Sequence, residues 1–151
     1  RYLPKLPGQP ESVQLLDMPS VNPAWLDEAL DAKWQKLVAC KEQVAGQLEL
    51  ARQAKQIGHS LDARVTIKAA GEQLALLQEM AAELPHLFIV SQCVLEAKAD
   101  GELEISVEPA HGHKCARCWI YSEDIEAEGG VCPRCAAVLE KLPEEVLTDA
   151  E

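Results

Sequence analysis

The sequence predicts an α+β fold: a long helix, a small unit of helix and β-hairpin, and an appended module built on four cysteines. Three observations carry this expectation. Apolar residues recur at helical spacing through residues 30–51, and apolar and polar residues alternate at 62–69 and again at 102–108. Two Cys-x-x-Cys pairs, Cys115/Cys118 and Cys132/Cys135, then stand 13 residues apart.

Residues 1–22 carry Pro4, Pro7, Pro10 and Pro19 around a short apolar patch, which predicts an extended connector. Asn22-Pro23 reads as the start of the long helix, an Asn cap followed by Pro, with Asp27 and Glu28 placed to favour the N-terminal dipole. Leu30, Trp34, Leu37, Val38, Val44, Leu48 and Ala51 make one apolar stripe, and Gly58 is the expected stop.

Ala63, Val65, Ile67 and Ala69 alternate with Asp62, Arg64, Thr66 and Lys68, the period of a half-buried strand. A second helix is expected over 72–84, closed by Pro85, and Leu87-Phe88-Ile89-Val90 would open the next strand. After the turn-like Ala99-Asp100-Gly101-Glu102, Leu103, Ile105 and Val107 predict the other arm of a hairpin. The expected divisions are 1–22 connector, 23–110 helical end with a small α+β unit, 111–142 metal module and 143–151 acidic tail.

Four thiolates delivered in two pairs complete a tetrahedral shell around Zn²⁺, so Cys115, Cys118, Cys132 and Cys135 are expected to hold one structural zinc. A disulfide framework is the alternative, but 6 cysteines in 151 residues fall short of a secreted stapled domain. Cys40 and Cys93 read as small buried hydrophobes. Six thiols beside a metal site fit a reducing compartment, the cytoplasm.

The composition, 48% hydrophobic and 26% charged, is that of a folded globular chain, and no apolar stretch is long enough to span a bilayer. The Pro-rich opening and the absence of an initial Met suggest a piece of a longer protein. A net charge of −11 excludes gripping nucleic acid by a bulk basic field, so any such contact must be local. One basic island exists: Arg52, Lys55, Arg64 and Lys68 face only Asp62 among acids in that stretch. An ordinary solvated face explains it equally well.

Within the metal module, Trp119 and Tyr121 follow the first knuckle, and Arg117 and Arg134 sit inside the two knuckles. Aromatics and arginines on a rigid loop suit stacking on unpaired bases and contact with phosphates; packing of Trp119 over the metal is the competing reading. His59, His86, His111 and His113 are scattered, and neither a nucleophile triad nor a phosphate-cradling glycine loop is present. Four cysteines also leave no open position on the metal for catalysis.

The run from Glu49 to Ala63, with Ala51-Arg52, Lys55, Ile57-Gly58 and Ser60-Leu61-Asp62-Ala63, resembles the helix-to-strand junction of bacterial isoleucyl-tRNA synthetases. Glu11-Ser12-Val13, Leu87-Phe88-Ile89-Val90-Ser91, Lys114-Cys115-Ala116-Arg117-Cys118-Trp119 and Cys132-Pro133-Arg134-Cys135 are similar to the same family's carboxy-terminal region, in the same order.

That resemblance implies the tail of a class I synthetase: the end of a helical anticodon-binding domain, and a zinc module that engages the anticodon stem-loop of isoleucine tRNA. The tRNA contacts expected are Arg52, Lys55, Arg64, Lys68, Arg117, Trp119, Tyr121 and Arg134. The partners are the tRNA and the rest of the parent, with no membrane. The parent would couple isoleucine, ATP and tRNA, but the family's two adenylate-forming signatures do not occur in this sequence, so the chain should not activate an amino acid by itself. A zinc ribbon that docks a protein through Trp119 and Tyr121 remains the principal alternative, and a DNA-binding ribbon is disfavoured by the acidic charge.

Overall fold

A computed structural model describes residues 7, 8 and 10–142. The expected acidic tail, and part of the expected connector, lie outside the described residues. The chain divides into two compact units, Arg1–Lys33 and Trp34–Glu151.

Among the described residues of the first unit the backbone ahead of Glu28 is mostly irregular, with 3-10 turns at Val13–Leu15 and Pro23–Trp25. The Asn22-Pro23 signal is used, but for a turn rather than for the long helix: the Asn22 side chain accepts the Ala24 N–H at 3.0 Å, and Leu26 is then extended. The helix begins at α1, Glu28–Gln53, because Asp27 supplies the better cap, its carboxylate accepting the Leu30 N–H at 2.9 Å.

In the second unit α1 buries Leu37, Cys40, Val44 and Ala51, with Leu48 packed beside them. The single predicted stripe is in fact two. Leu30, Trp34 and Val38, spaced by four, are exposed on another side of the helix. The helix stops before Gly58 by a paired capping pattern in which Gln56 N–H donates to the Ala51 carbonyl and Lys55 N–H to that of Arg52. Lys55 takes the left-handed position at φ 59°, a place glycine usually fills. Gly58 serves the next turn instead: its N–H and that of His59 both donate to the Asp62 carboxylate, at 3.2 and 2.8 Å.

Strand β1, Ala63–Ala69, lies at the centre of a three-stranded sheet, parallel to β2, Gln92–Ala97, and antiparallel to β3, Glu104–Pro109. The expected hairpin is therefore not one, since β1 intervenes between its two arms. The register sets Val65 beside Cys93 and Val107, and Ile67 beside Leu95 and Ile105. A fully apolar inner face on β1 suits a central strand better than an edge, which is why the later arms pair with it rather than with each other.

Between β1 and β2 the chain forms α2, Gly71–Glu79, and α3, Leu84–Phe88. Pro85 opens α3 rather than closing the helix before it, as its fixed φ and missing N–H permit in a first turn. Leu87 and Phe88 are thus helical, not the start of a strand. Leu84 and Phe88, four apart, are buried in the core with Leu77, Val90 and the inner face of β1.

Candidate metal centre

The metal module hangs on a two-stranded ribbon, β4, His113–Lys114, paired with β5, Tyr121–Ser122. Between them lies the first knuckle, closed by the Cys115 N–H on the Ile120 carbonyl at 2.8 Å and the Trp119 N–H on the Cys115 carbonyl at 3.0 Å. Trp119 is left-handed at φ 68°. Gly112, at φ 85°, lets the chain pass against Ser122, since any side chain there would collide with the Ser122 backbone. The second knuckle leads into α4, Pro133–Leu139: Cys132 precedes the helix, Pro133 takes its first position, and Cys135 follows inside it.

These elements bring the four sulfurs of Cys115, Cys118, Cys132 and Cys135 within 4.8 Å of one another. A tetrahedron with Zn–S near 2.3 Å has edges of roughly 3.8 Å. Cys118 Sγ and Cys132 Sγ are 3.7 Å apart, so the set fits that ion. All six cysteines are free rather than disulfide-bonded. Cys115 is fully buried, which pushes its thiol up, but the backbone N–H groups of Cys118, Cys132 and Arg117 outweigh this and hold it below the usual thiol range. Burial has its way at Cys132, which is raised, with its three sulfur neighbours adding to the shift. Around the sulfurs, Ile125 is buried and Ile120 and Val131 pack beside it. That is a small apolar lining, so the sulfur cluster must carry the module's organisation.

Arg117 and Arg134 turn toward the cluster. Arg117 Nη1 is 3.8 Å from Cys135 Sγ, and the sulfur of Cys118 raises the guanidinium of Arg134. Two guanidinium charges beside four sulfurs offset the net −2 that a zinc tetrathiolate would carry. Lys114 Nζ lies 6.0 Å from the centre of the half-buried Tyr121 ring. Trp119, by contrast, is 62% exposed. It borders a cavity of about 440 Å³ with His59, Ser60, Asp62, Ile89 and Lys114.

The basic island does not form one patch. Arg52, in the last turn of α1, is paired with Glu49 at 2.7 Å. Arg64 and Lys68 are on the outer face of the sheet, Arg64 3.5 Å from Glu108 and 2.8 Å from His111 Nδ1, and Lys68 3.3 Å from Glu96. Lys55 has no ion pair or side-chain hydrogen bond among the described residues. Exposed pairs of this kind are weak enough to exchange for a phosphate.

Sequence reasoning missed the residues that fix the module on the sheet. Ser91 Oγ donates to the Leu61 carbonyl and accepts the Tyr121 N–H at 2.7 Å. The Gln92 amide clasps the backbone of His111, accepting at 2.9 Å and donating at 3.2 Å. His111, in the sequence only one of four scattered histidines, faces Arg64 and Glu123. No spacing rule marks such residues, because each bridges segments that are 19 to 30 positions apart.

Outside the metal cluster, Cys40 and Cys93 lie in or beside the main core. Burial raises both thiols, Cys93 to about 12 with the neighbouring Cys40 adding to the shift, which keeps them protonated and inert at neutral pH. No helix among the described residues is long and apolar enough to cross a membrane.

Comparison with known proteins agrees with this geometry. Residues 112–138 match the family model described as the zinc finger found in FPG and IleRS. The chain is 46% identical over 144 residues, 89% of its length, to an isoleucine–tRNA ligase of Carboxydothermus hydrogenoformans. It is 42% identical over 93% of its length to that of Desulforamulus reducens, and 41% over 91% to that of Geobacter sulfurreducens. In each case it spans 16% of the relative's own length. The resemblance to isoleucyl-tRNA synthetases read from the motifs is therefore shown along nearly the whole chain.

Proposed function

We propose that this chain is a tRNA-binding segment from the carboxy-terminal region of an isoleucine–tRNA ligase, in which one structural zinc holds the loops that meet the anticodon stem-loop. The observation that carries the reading is Trp119, an exposed ring on a loop whose ends are two of the four clustered cysteines. When bound, zinc supplies no chemistry beyond locking the two knuckles; Cys115, Cys118, Cys132 and Cys135 would hold it. An aromatic fixed in this way can stack on an unpaired base without ordering cost, an interaction worth about 1–3 kcal/mol per base. Lys114, beside the same cavity, offers a cation for the backbone.

The relatives' name, isoleucine–tRNA ligase, supports coupling of isoleucine to its tRNA as the activity of the whole protein, and with it we propose dependence on ATP and a cytoplasmic setting. Arg52, Lys55, Arg64 and Lys68 would follow the RNA backbone. Arg117 and Arg134, turned toward sulfur, would stabilise the tetrathiolate as well as line the RNA.

Binding of the zinc-loaded chain to an isoleucine anticodon stem-loop, measured by fluorescence anisotropy, tests this. Affinity should exceed that for duplex DNA and should drop about tenfold or more for Trp119→Ala. Equal affinity for both nucleic acids, or a Trp119→Ala variant that binds normally, would remove the basis of the reading. The protein-docking alternative would then lead, as exposed Trp119 and Ile89 on an acidic chain also suit a protein partner.

A further inference from the structure

We propose that Ile89 is an RNA-contacting residue that separates two neighbouring recesses, so that the unpaired strand reaching Trp119 continues across Ile89 toward the end of α1. This rests on the RNA reading above and extends it to a residue outside the metal module.

Ile89 follows α3 in the left-handed conformation, φ 58° and ψ 50°. Its N–H donates to the His86 carbonyl and the next N–H, of Val90, to that of Pro85, a cap that glycine would make without strain. A β-branched residue there is an outlier, and the cost is ordinarily offset by burying the side chain. Here that return is at most partial, because Ile89 is 55% exposed. An apolar side chain held in a strained backbone and presented to solvent has no sufficient structural reason within this chain. Contact with a ligand supplies one.

Its position says which ligand. Ile89 is shared by two recesses, one of about 440 Å³ with Trp119, Lys114 and Asp62, the other of about 390 Å³ with Lys41, Glu49, Arg52 and Phe88. His59 and Ser60 also border both. Each has the volume of a small-ligand site. Lys41, Arg52 and Lys114 against Glu49 and Asp62 make the charged lining net positive, three minus two, in a chain whose total is −11. The excess charge is that of Lys41, beside the second recess, while Arg52 is paired with Glu49 at 2.7 Å and Lys114 stands 4.0 Å from Asp62, surface pairs that a phosphate can displace. Apolar walls on either side of one ridge, with a cation at the edge of each recess, match a single strand of RNA whose successive bases are unstacked and whose phosphates pass the rim. A wedge between two bases needs a compact apolar side chain fixed in place, and Ile89 is one.

The experiment uses the zinc-loaded chain and an isoleucine anticodon stem-loop carrying 2-aminopurine at each loop position in turn. Ile89→Gly removes the side chain while suiting the left-handed backbone, so its Tm should be unchanged or higher. Its affinity for the stem-loop should nevertheless fall about five- to tenfold, the loss expected for half-burying an isoleucine. The fluorescence change it abolishes should report a loop position different from the one abolished by Trp119→Ala. Ile89→Leu should bind within about twofold of the parent chain, since it restores an apolar wedge. Ile89→Gly binding as tightly as the parent would overturn the proposal, as would a fall in Tm that accounts for the lost affinity. If the parent chain bound no stem-loop, the RNA reading itself would fail; if it bound through Trp119 with no response at Ile89, only this inference would.

Discussion

Lys55 and Ile89 close α1 and α3 by the same pair of hydrogen bonds, and both occupy a backbone conformation that favours glycine. A non-glycine residue there costs of order 1 kcal/mol or more, which only side-chain function recovers. For Lys55 that function would be a phosphate contact. Lys55→Gly should therefore stabilise the chain by about 0.5–1 kcal/mol, a rise of about 1–4 °C in Tm. The same variant should reduce the salt slope of RNA binding by about one. A lower Tm would show that the lysine side chain packs, and an unchanged slope that it does not meet the RNA. Neither strained position was readable beforehand, because the sequence shows an ordinary Lys and Ile, and only the backbone reveals what they displace. The clustering of Cys115, Cys118, Cys132 and Cys135 was readable to the residue, since two short Cys-x-x-Cys spacings determine the local geometry almost regardless of the rest of the fold.

At the scale of elements, legibility followed how local the governing interaction is. The alternation of β1 and the inner positions Leu37, Val44 and Ala51 of α1 were legible because each is set by a period of two or of 3.6. The reading went astray where one local signal outcompeted another. Asp27 took the cap expected of Asn22, and Pro85 began a helix where it was expected to end one. The strand partners were beyond reach, because β1 to β3 pairing is decided by which strand has the more fully apolar face, not by the turn at Gly101. The metal module, with Ile125 the largest buried side chain beside its sulfurs, should depend on zinc for its structure. Chelation followed by hydrogen exchange should therefore deprotect residues 111–142 while β1 and α1 stay protected. A thiol reagent should then label four cysteines and spare Cys40 and Cys93, whose burial keeps them protonated. Loss of protection throughout the sheet would mean that the Ser91 and Gln92 clasp makes the two parts a single cooperative unit.

Over the whole molecule, an acidic chain of net −11 is expected to meet RNA through a few placed groups rather than through a field, so that geometry, and hence the metal, sets affinity. The cationic groups are dispersed over α1, the outer face of the sheet and the ribbon, and Arg52, Arg64 and Lys68 are each shared with a carboxylate. On the proposed reading, recognition would be concentrated in the loop that carries Trp119, which leads out of the four-sulfur cluster and shares a recess with Ile89. The most direct test is a single titration of isoleucine anticodon stem-loop into the chain with zinc, after chelation, and after zinc is restored. Binding should be lost on chelation and recovered on adding one equivalent of Zn²⁺, with the main core folded throughout. Undiminished binding by the metal-free chain would contradict it.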